Sequence, residues 1–232
     1  MDKSASVVSA LADIFVDPKK VFRAADGQKG WTLLPLFLVL GAALLMQVYY
    51  FSTIDVGWYF DHVILAVKPD IPDDARAHVT RTILMIQGSV LPTIMILIML
   101  AILALYLFLV AKTSSPDDRK YGAWFKLVIW STMPAVLASI AVMVNFALAA
   151  NPQMVSPNDL QFFSVNALFT HIPIGQPGAT LMDSLTPFTL WSIALMAVGL
   201  QVWTNRTFVR SLIIAAAPYI VVFGVMAISA FG

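Results

Sequence analysis

Charge is scarce in this chain, and cysteine is missing altogether. Only 12% of the 232 residues are Asp, Glu, Lys or Arg, against about a quarter in an average soluble domain. The scarcity is uneven. After Lys126 the next positive residue is Arg206, and the only charged side chains between them are Asp159 and Asp183. A water-soluble fold must wet its whole outside, which such a stretch cannot do. The lack of cysteine excludes disulfides, thiolate metal sites and lipidation on sulfur. A net charge of +1 offers no basic field to a nucleic acid. There is no Gly-rich phosphate loop, no metalloprotease helix and no paired acid inside an apolar stretch. An enzyme is therefore not expected, and no cofactor is implied.

What the chain does have is apolar length. Hydrophobic residues make up 59% of it, and the mean hydropathy is +0.83. A bilayer core needs about 20 apolar residues of helix. Five stretches qualify: Trp31–Thr53, Gly88–Ala111, Leu127–Ala150, Pro187–Thr204 and Phe208–Phe231. None holds Asp, Lys or His, and the one Arg among them, Arg210, stands at the entrance of the last. A charge at the centre of a span costs about 2.5–3.5 kcal/mol on insertion scales. The expected fold is all-α: a polytopic bundle of five transmembrane helices plus short interfacial helices. Residues 1–30 form an amphipathic helical segment and residues 31–232 the membrane domain, with structured loops at 54–87 and 151–186. The first apolar run starts late and is too long for the core of a signal peptide.

The positive residues predict the orientation. Lys3, Lys19, Lys20, Arg23, Lys29, Lys112, Arg119, Lys120, Lys126, Arg206 and Arg210 fall on one side of the five spans; Lys68, Arg76 and Arg81 fall on the other. The positive-inside rule puts the first set, with the N-terminus, in the cytoplasm. The C-terminus is then periplasmic or extracellular, as an odd number of crossings requires.

Val7, Val8, Leu11, Ile14 and Phe15 share one face of a helix over residues 4–16. Asp17-Pro18 opens a second helix that ends at Gly27. The pair is expected to lie on the cytoplasmic leaflet, with Lys19, Lys20 and Arg23 toward anionic lipid. A packing cap over the bundle is the alternative. In the first outer loop, Trp58, Tyr59 and Phe60 are interfacial aromatics. Pro72, Asp73 and Asp74 open a helix expected to run through Arg81 into the second span, with Pro92 able to bend it. The hydrophilic inner loop occupies residues 113–122. In the second outer loop, rich in Pro, Gly and Asn, Phe162, Phe163 and Phe169 are candidate interface anchors.

In the third span Ser131, Ala135, Ala138, Val142, Asn145 and Ala149 form a small-residue stripe expected to face protein. Met133, Val136, Leu137, Ile140, Met143 and Val144 form a bulky stripe expected to face lipid. Pro134 frees a backbone carbonyl there. Gln47, Asn145 and Gln201, with Ser131, are the candidate intramembrane polar groups. Interhelical hydrogen bonding is their simpler role, and a polar transport path the other. No intramembrane acid, Lys or His serves an ion relay. Asp74 and His78, four apart on a helix, with His62 from the same loop, are candidate metal ligands, although capping and solvation account for the same residues. Met95 and Met99, with Met85, present thioethers suited to monovalent copper, but methionine is also an ordinary core filler.

Three segments stand out: Leu11-Ala-Asp-Ile-Phe-Val-Asp-Pro-Lys-Lys-Val-Phe22 followed by Gly30-Trp31, then Tyr121-Gly-Ala-Trp-Phe-Lys-Leu-Val-Ile-Trp-Ser-Thr-Met-Pro134, and the stretch Arg210–Pro218 that opens the last span. Together they resemble the Yip family (Ypt-interacting membrane proteins), in its bacterial branch. The resemblance implies five spans, a cytoplasmic N-terminus and no catalytic residues. Eukaryotic relatives are associated with small GTPases and membrane traffic, and their long cytosolic N-terminal region is not expected here. The expected role is a non-enzymatic protein of the bacterial inner membrane, organising lipids or scaffolding a membrane or cytoplasmic protein partner. The alternative is a small-solute or ion transporter or channel, metal-linked through the outer Asp/His loop.

Overall fold

The computed structural model describes residue 4 and residues 6–72, 74–114 and 118–232. Lys3, Asp73 and the 115–117 part of the hydrophilic loop lie outside the described residues. Among the described residues every regular element is helical. Five helices are long and apolar enough to cross a bilayer: Leu33–Thr53, Arg81–Thr113, Tyr121–Ala147, Pro187–Thr204 and Phe208–Phe231. The protein is a multi-pass membrane protein with an all-helical fold.

The helices Pro187–Thr204 and Phe208–Phe231 coincide with the last two apolar stretches, and the other three differ from theirs, the first starting at Leu33 and not Trp31. Span two starts at Arg81, not Gly88. The Thr80 hydroxyl accepts the Ile83 amide at 3.3 Å, and a π turn at Ile86–Val90 carries the helix through to the apolar run. The loop helix expected to feed it from Pro72 is instead a separate turn, Ala75–His78, broken by extended backbone at Val79 and Thr80. Capping explains the break, because the Thr80 side chain reaches back to the amide only from an extended backbone. Span three starts at Tyr121, six residues before Leu127, so Lys126 lies inside the helix.

Span three is two helices, Tyr121–Ser131 and Pro134–Ala147, joined by a turn at Thr132-Met133. Pro134 has no amide hydrogen and cannot continue the ladder, but it starts a new helix well. The break resets the helical phase. Leu137, Ile140 and Val144 are exposed as the bulky stripe requires, whereas Met133 is 3% exposed and packs inward. A single 100° wheel drawn through Pro134 misplaces it.

By internal contacts the chain divides into two compact units, with boundaries that fall inside the spans. One comprises Met1–Gly41, Met95–Val136 and Leu190–Val221. Its core holds Ile14, Val21, Phe22, Trp124, Leu127, Trp130, Met196 and Leu200. The helices α1 (Val7–Val16) and α2 (Pro18–Ala25) belong to it. Ser6 and Ser9 make a reciprocal cap on α1. Asp17 accepts the Lys20 amide at 3.3 Å to start α2, with Pro18 in the first turn. Ala10, Ile14, Val21, Phe22 and Ala25 are fully buried. Of the α1 face that periodicity offered to the leaflet, Ile14 is buried and Val7, Leu11 and Phe15 pack partly buried on the same core, whereas Val8 stays exposed.

The other unit comprises Ala42–Ile94, Leu137–Thr189 and Val222–Gly232. Its core is aromatic: Tyr50, Phe51 and Phe146, with Ile54, Leu84, Val142 and Leu160. The Tyr50 ring meets those of Phe51 and Phe146 edge-on at 4.9 and 5.4 Å. Two long connections fold onto it. The Tyr50 hydroxyl donates to the Val155 carbonyl at 2.7 Å, and the Asp55 amide to the Gln153 carbonyl at 2.9 Å. Gly175, at φ +82°, passes so close to residue 66 that a Cβ there would lie 2.0 Å from the Ala66 carbonyl oxygen. Glycine is required at that crossing on both counts.

Candidate functional site

The basic residues assigned to lipid have mixed surroundings. Lys19 is exposed. Lys20 pairs with Asp13 at 3.0 Å, and Arg23 is half-buried. The Asp13 carboxyl is held below its ordinary value first by a hydrogen bond from Ser4, at 2.7 Å, and then by Lys20. The C-terminal end of α2 is gripped from span three. Lys126, 7% exposed, donates from Nζ to the carbonyls of Ala25, at 2.9 Å, and Gln28. An ammonium there satisfies carbonyls that no helical amide reaches and meets the negative end of the helix dipole. Trp203 donates to the Phe22 carbonyl at 2.8 Å, and Arg119 makes two bonds to the Asp26 carboxylate at 2.7 and 3.1 Å.

The candidate metal ligands do not converge. Among the described residues no group of three or more His, Asp or Glu is placed to hold an ion. Asp61 of the same loop is held by Arg76 in a two-bond pair at 2.6 and 2.9 Å. His62 stacks on Trp58 at 4.9 Å. Asp74 precedes, and His78 ends, a helix of only four residues. Met95 and Met99 are both about half exposed on span two, as residues facing lipid would be.

The four intramembrane polar residues divide between the units. Ser131 and Gln201 belong to the first, and Gln47 and Asn145 to the second. Ser131 is buried and donates to the Leu127 carbonyl of its own helix at 2.8 Å. Asn145 donates to the Asp159 carbonyl at 3.3 Å and so ties down the second loop.

That loop holds a cleft of about 410 Å³ whose polar lining includes Ser156, Asn158, Asp159, Asn166 and His171. Pro157 starts the turn Pro157–Leu160, and buried Leu160 pins it to the aromatic core. The Ser164 hydroxyl is fully buried and accepts the Ala167 amide at 3.0 Å, opening the π turn Asn166–Thr170. Asn166 then uses its whole amide group. Oδ1 accepts from the Ile172 amide at 2.7 Å and the Thr170 hydroxyl at 2.8 Å, and Nδ2 donates to the Ile172 carbonyl at 3.0 Å. This bracket holds His171 in the left-handed region at φ 51°. Such a backbone is costly for a non-glycine residue unless its surroundings enforce it, and it concentrates at functional places. Beside the bracket, Asp183 is pushed above the usual carboxylate range by burial, against hydrogen bonds from Asn166 and Ser164 that favour the charged form.

Of the residues lining this cleft, the sequence offers Phe162 only as an interface anchor and gives no role to His171. Its one usable signal was Asp159, an acid in a stretch without lysine or arginine. Neither Asn158 nor Asn166 has a spacing that periodicity detects.

No curated protein and no solved structure matches the chain. The model of the Yip1 domain matches residues 12–230. That match runs from α1 to the end of span five and takes in all five membrane-spanning helices, so the chain belongs to the Yip1 domain family.

Proposed function

We propose that the protein works without catalysis as an organiser of the bacterial inner membrane, its N-terminal helices reading the cytoplasmic leaflet and its bundle scaffolding a membrane or cytoplasmic protein partner. The observation that carries this reading is the outward side of α1. Val8, Ala12 and Val16 stand four apart and are exposed, Val8 at 67% and Val16 at 86%. The opposite side of the same helix is buried in the core. A helix apolar on both sides, with Lys19 exposed just beyond it, suits a position sunk among head groups. Each basic side chain near an anionic surface adds about 1 kcal/mol.

The absence of cysteine from the chain makes the test clean. A spin label on full-length V16C in liposomes containing anionic lipid should collide more with oxygen than with a water-soluble nickel complex. Adding K19Q, K20Q and R23Q should raise its contact with nickel. Free access of nickel in both proteins would sink the reading.

A further inference from the structure

We propose that the cleft of the second loop binds a zwitterionic group, an ammonium joined to an oxyanion, of the kind carried by the head group of phosphatidylethanolamine. Its volume lies within the ~300–1,000 Å³ of small-molecule sites. Its wall carries complementary halves. The Asp159 carboxylate makes no ion pair among the described residues, and no lysine or arginine occurs in residues 127–205. With Phe162 also lining the cleft, this is a place for a cation, since a carboxylate and an aromatic face both attract ammonium.

The other half wants an acceptor. The side-chain nitrogen of Asn158 is buried with no hydrogen-bond partner among the described residues. Natural proteins rarely leave such a donor unmet. His171, also on the lining, brings ring nitrogens, and the backbone beside it is fixed by the bracket that Asn166 closes. A pure cation would leave Asn158 unsatisfied, and a pure anion would meet Asp159.

The rim favours a lipid as the source. The π turn that forms one wall also carries Leu168 and Phe169, exposed at 54% and 74%. Large apolar side chains left open beside a polar cleft suit the boundary between head groups and acyl chains, where aromatic residues collect. The inference is independent of the reading of the N-terminal helices.

The test uses the full chain in detergent, titrated calorimetrically with short-chain phosphatidylethanolamine, short-chain phosphatidylglycerol and soluble glycerophosphoethanolamine. Saturable binding of the ethanolamine lipid, and at least about tenfold weaker binding of the glycerol lipid, is expected. If glycerophosphoethanolamine binds as well as the lipid, the zwitterion alone suffices and the proposal stands with a soluble source. If it binds far more weakly, the acyl chains contribute and the source is the membrane. D159N should weaken binding of the ethanolamine lipid about tenfold without changing the unfolding temperature. Equal affinity for the two lipids, or no saturable binding to the unaltered protein, would overturn the proposal whatever the variant does.

Discussion

Lys126 Nζ lies 2.9 Å from the carbonyl oxygen of Ala25, so a lysine buried inside the third span closes the end of a helix near the N-terminus. Charge counting treats Lys126 as one more cytoplasmic positive. In the structure it is 7% exposed, and its charge is spent on backbone carbonyls. A cation is tolerated there because two carbonyl oxygens replace part of its water.

K126M should therefore loosen α1 and α2 while leaving the spans in place. It removes the donor and takes the ammonium from the Gln28 carbonyl, leaving the Ala25 carbonyl only the Gln28 amide at 3.2 Å, a loss of about 1–3 kcal/mol. Hydrogen exchange over residues 7–25 should speed up by about tenfold or more, with the exchange of spans four and five unchanged. Uniform acceleration throughout the chain would show instead that α1 and α2 are inseparable from the bundle.

Gly88 sets how closely two spans pass in the second unit. A Cβ at this position would fall 2.1 Å from the Phe51 ring, well inside van der Waals contact. G88A should lower the thermal midpoint, with a penalty of about 1–3 kcal/mol for overpacking. Because the clash is with a single side chain, F51A should relieve it, and the double variant should be less destabilised than the sum of the two. Additive losses would mean that the spans separate for another reason.

Asp13 makes the attachment of α1 to α2 sensitive to acid. Its folded value lies below the ordinary 3.8 because Ser4 donates to it and Lys20 pairs with it. A depressed carboxyl stabilises the fold at pH above its unfolded value and loses that contribution as pH falls through the folded value. Protection of residues 7–16 from exchange should thus be flat from neutral pH down to about 4 and decline below it. D13N should remove that decline. The same acid dependence in D13N would assign it to another group.

The spans were legible in the sequence because lipid imposes one rule on every residue it touches. Pro187–Thr204 and Phe208–Phe231 are separable because Asn205, in the left-handed region, and the charge of Arg206 stand between two apolar runs. Span two was read short because Arg81 and Thr82 are polar. The structure uses Arg81 as a cap, with its guanidinium donating to the carbonyls of Phe51 at 2.8 Å and Ser52 at 2.6 Å. Met133 was misplaced because Pro134 resets the helical phase, which a fixed angle per residue cannot represent. The cleft was hidden for a different reason. Asn158, Asp159, Asn166 and His171 have no common period; they come together through the turns at Pro157 and Asn166 and through the left-handed backbone at His171.

Composition and charge order alone determined that the chain is helical and that it crosses a membrane five times. These follow from the energy of transferring single side chains into hydrocarbon, which is nearly independent of the neighbours. Only the tertiary structure decided that the inward faces of α1 and α2 pack on protein, that Lys126 caps a helix, and that a polar cleft forms in a loop without periodicity. Those outcomes depend on which donors and acceptors meet across distant segments, such as Lys126 with Ala25 and Asn145 with Asp159, and a linear pattern does not encode such pairings.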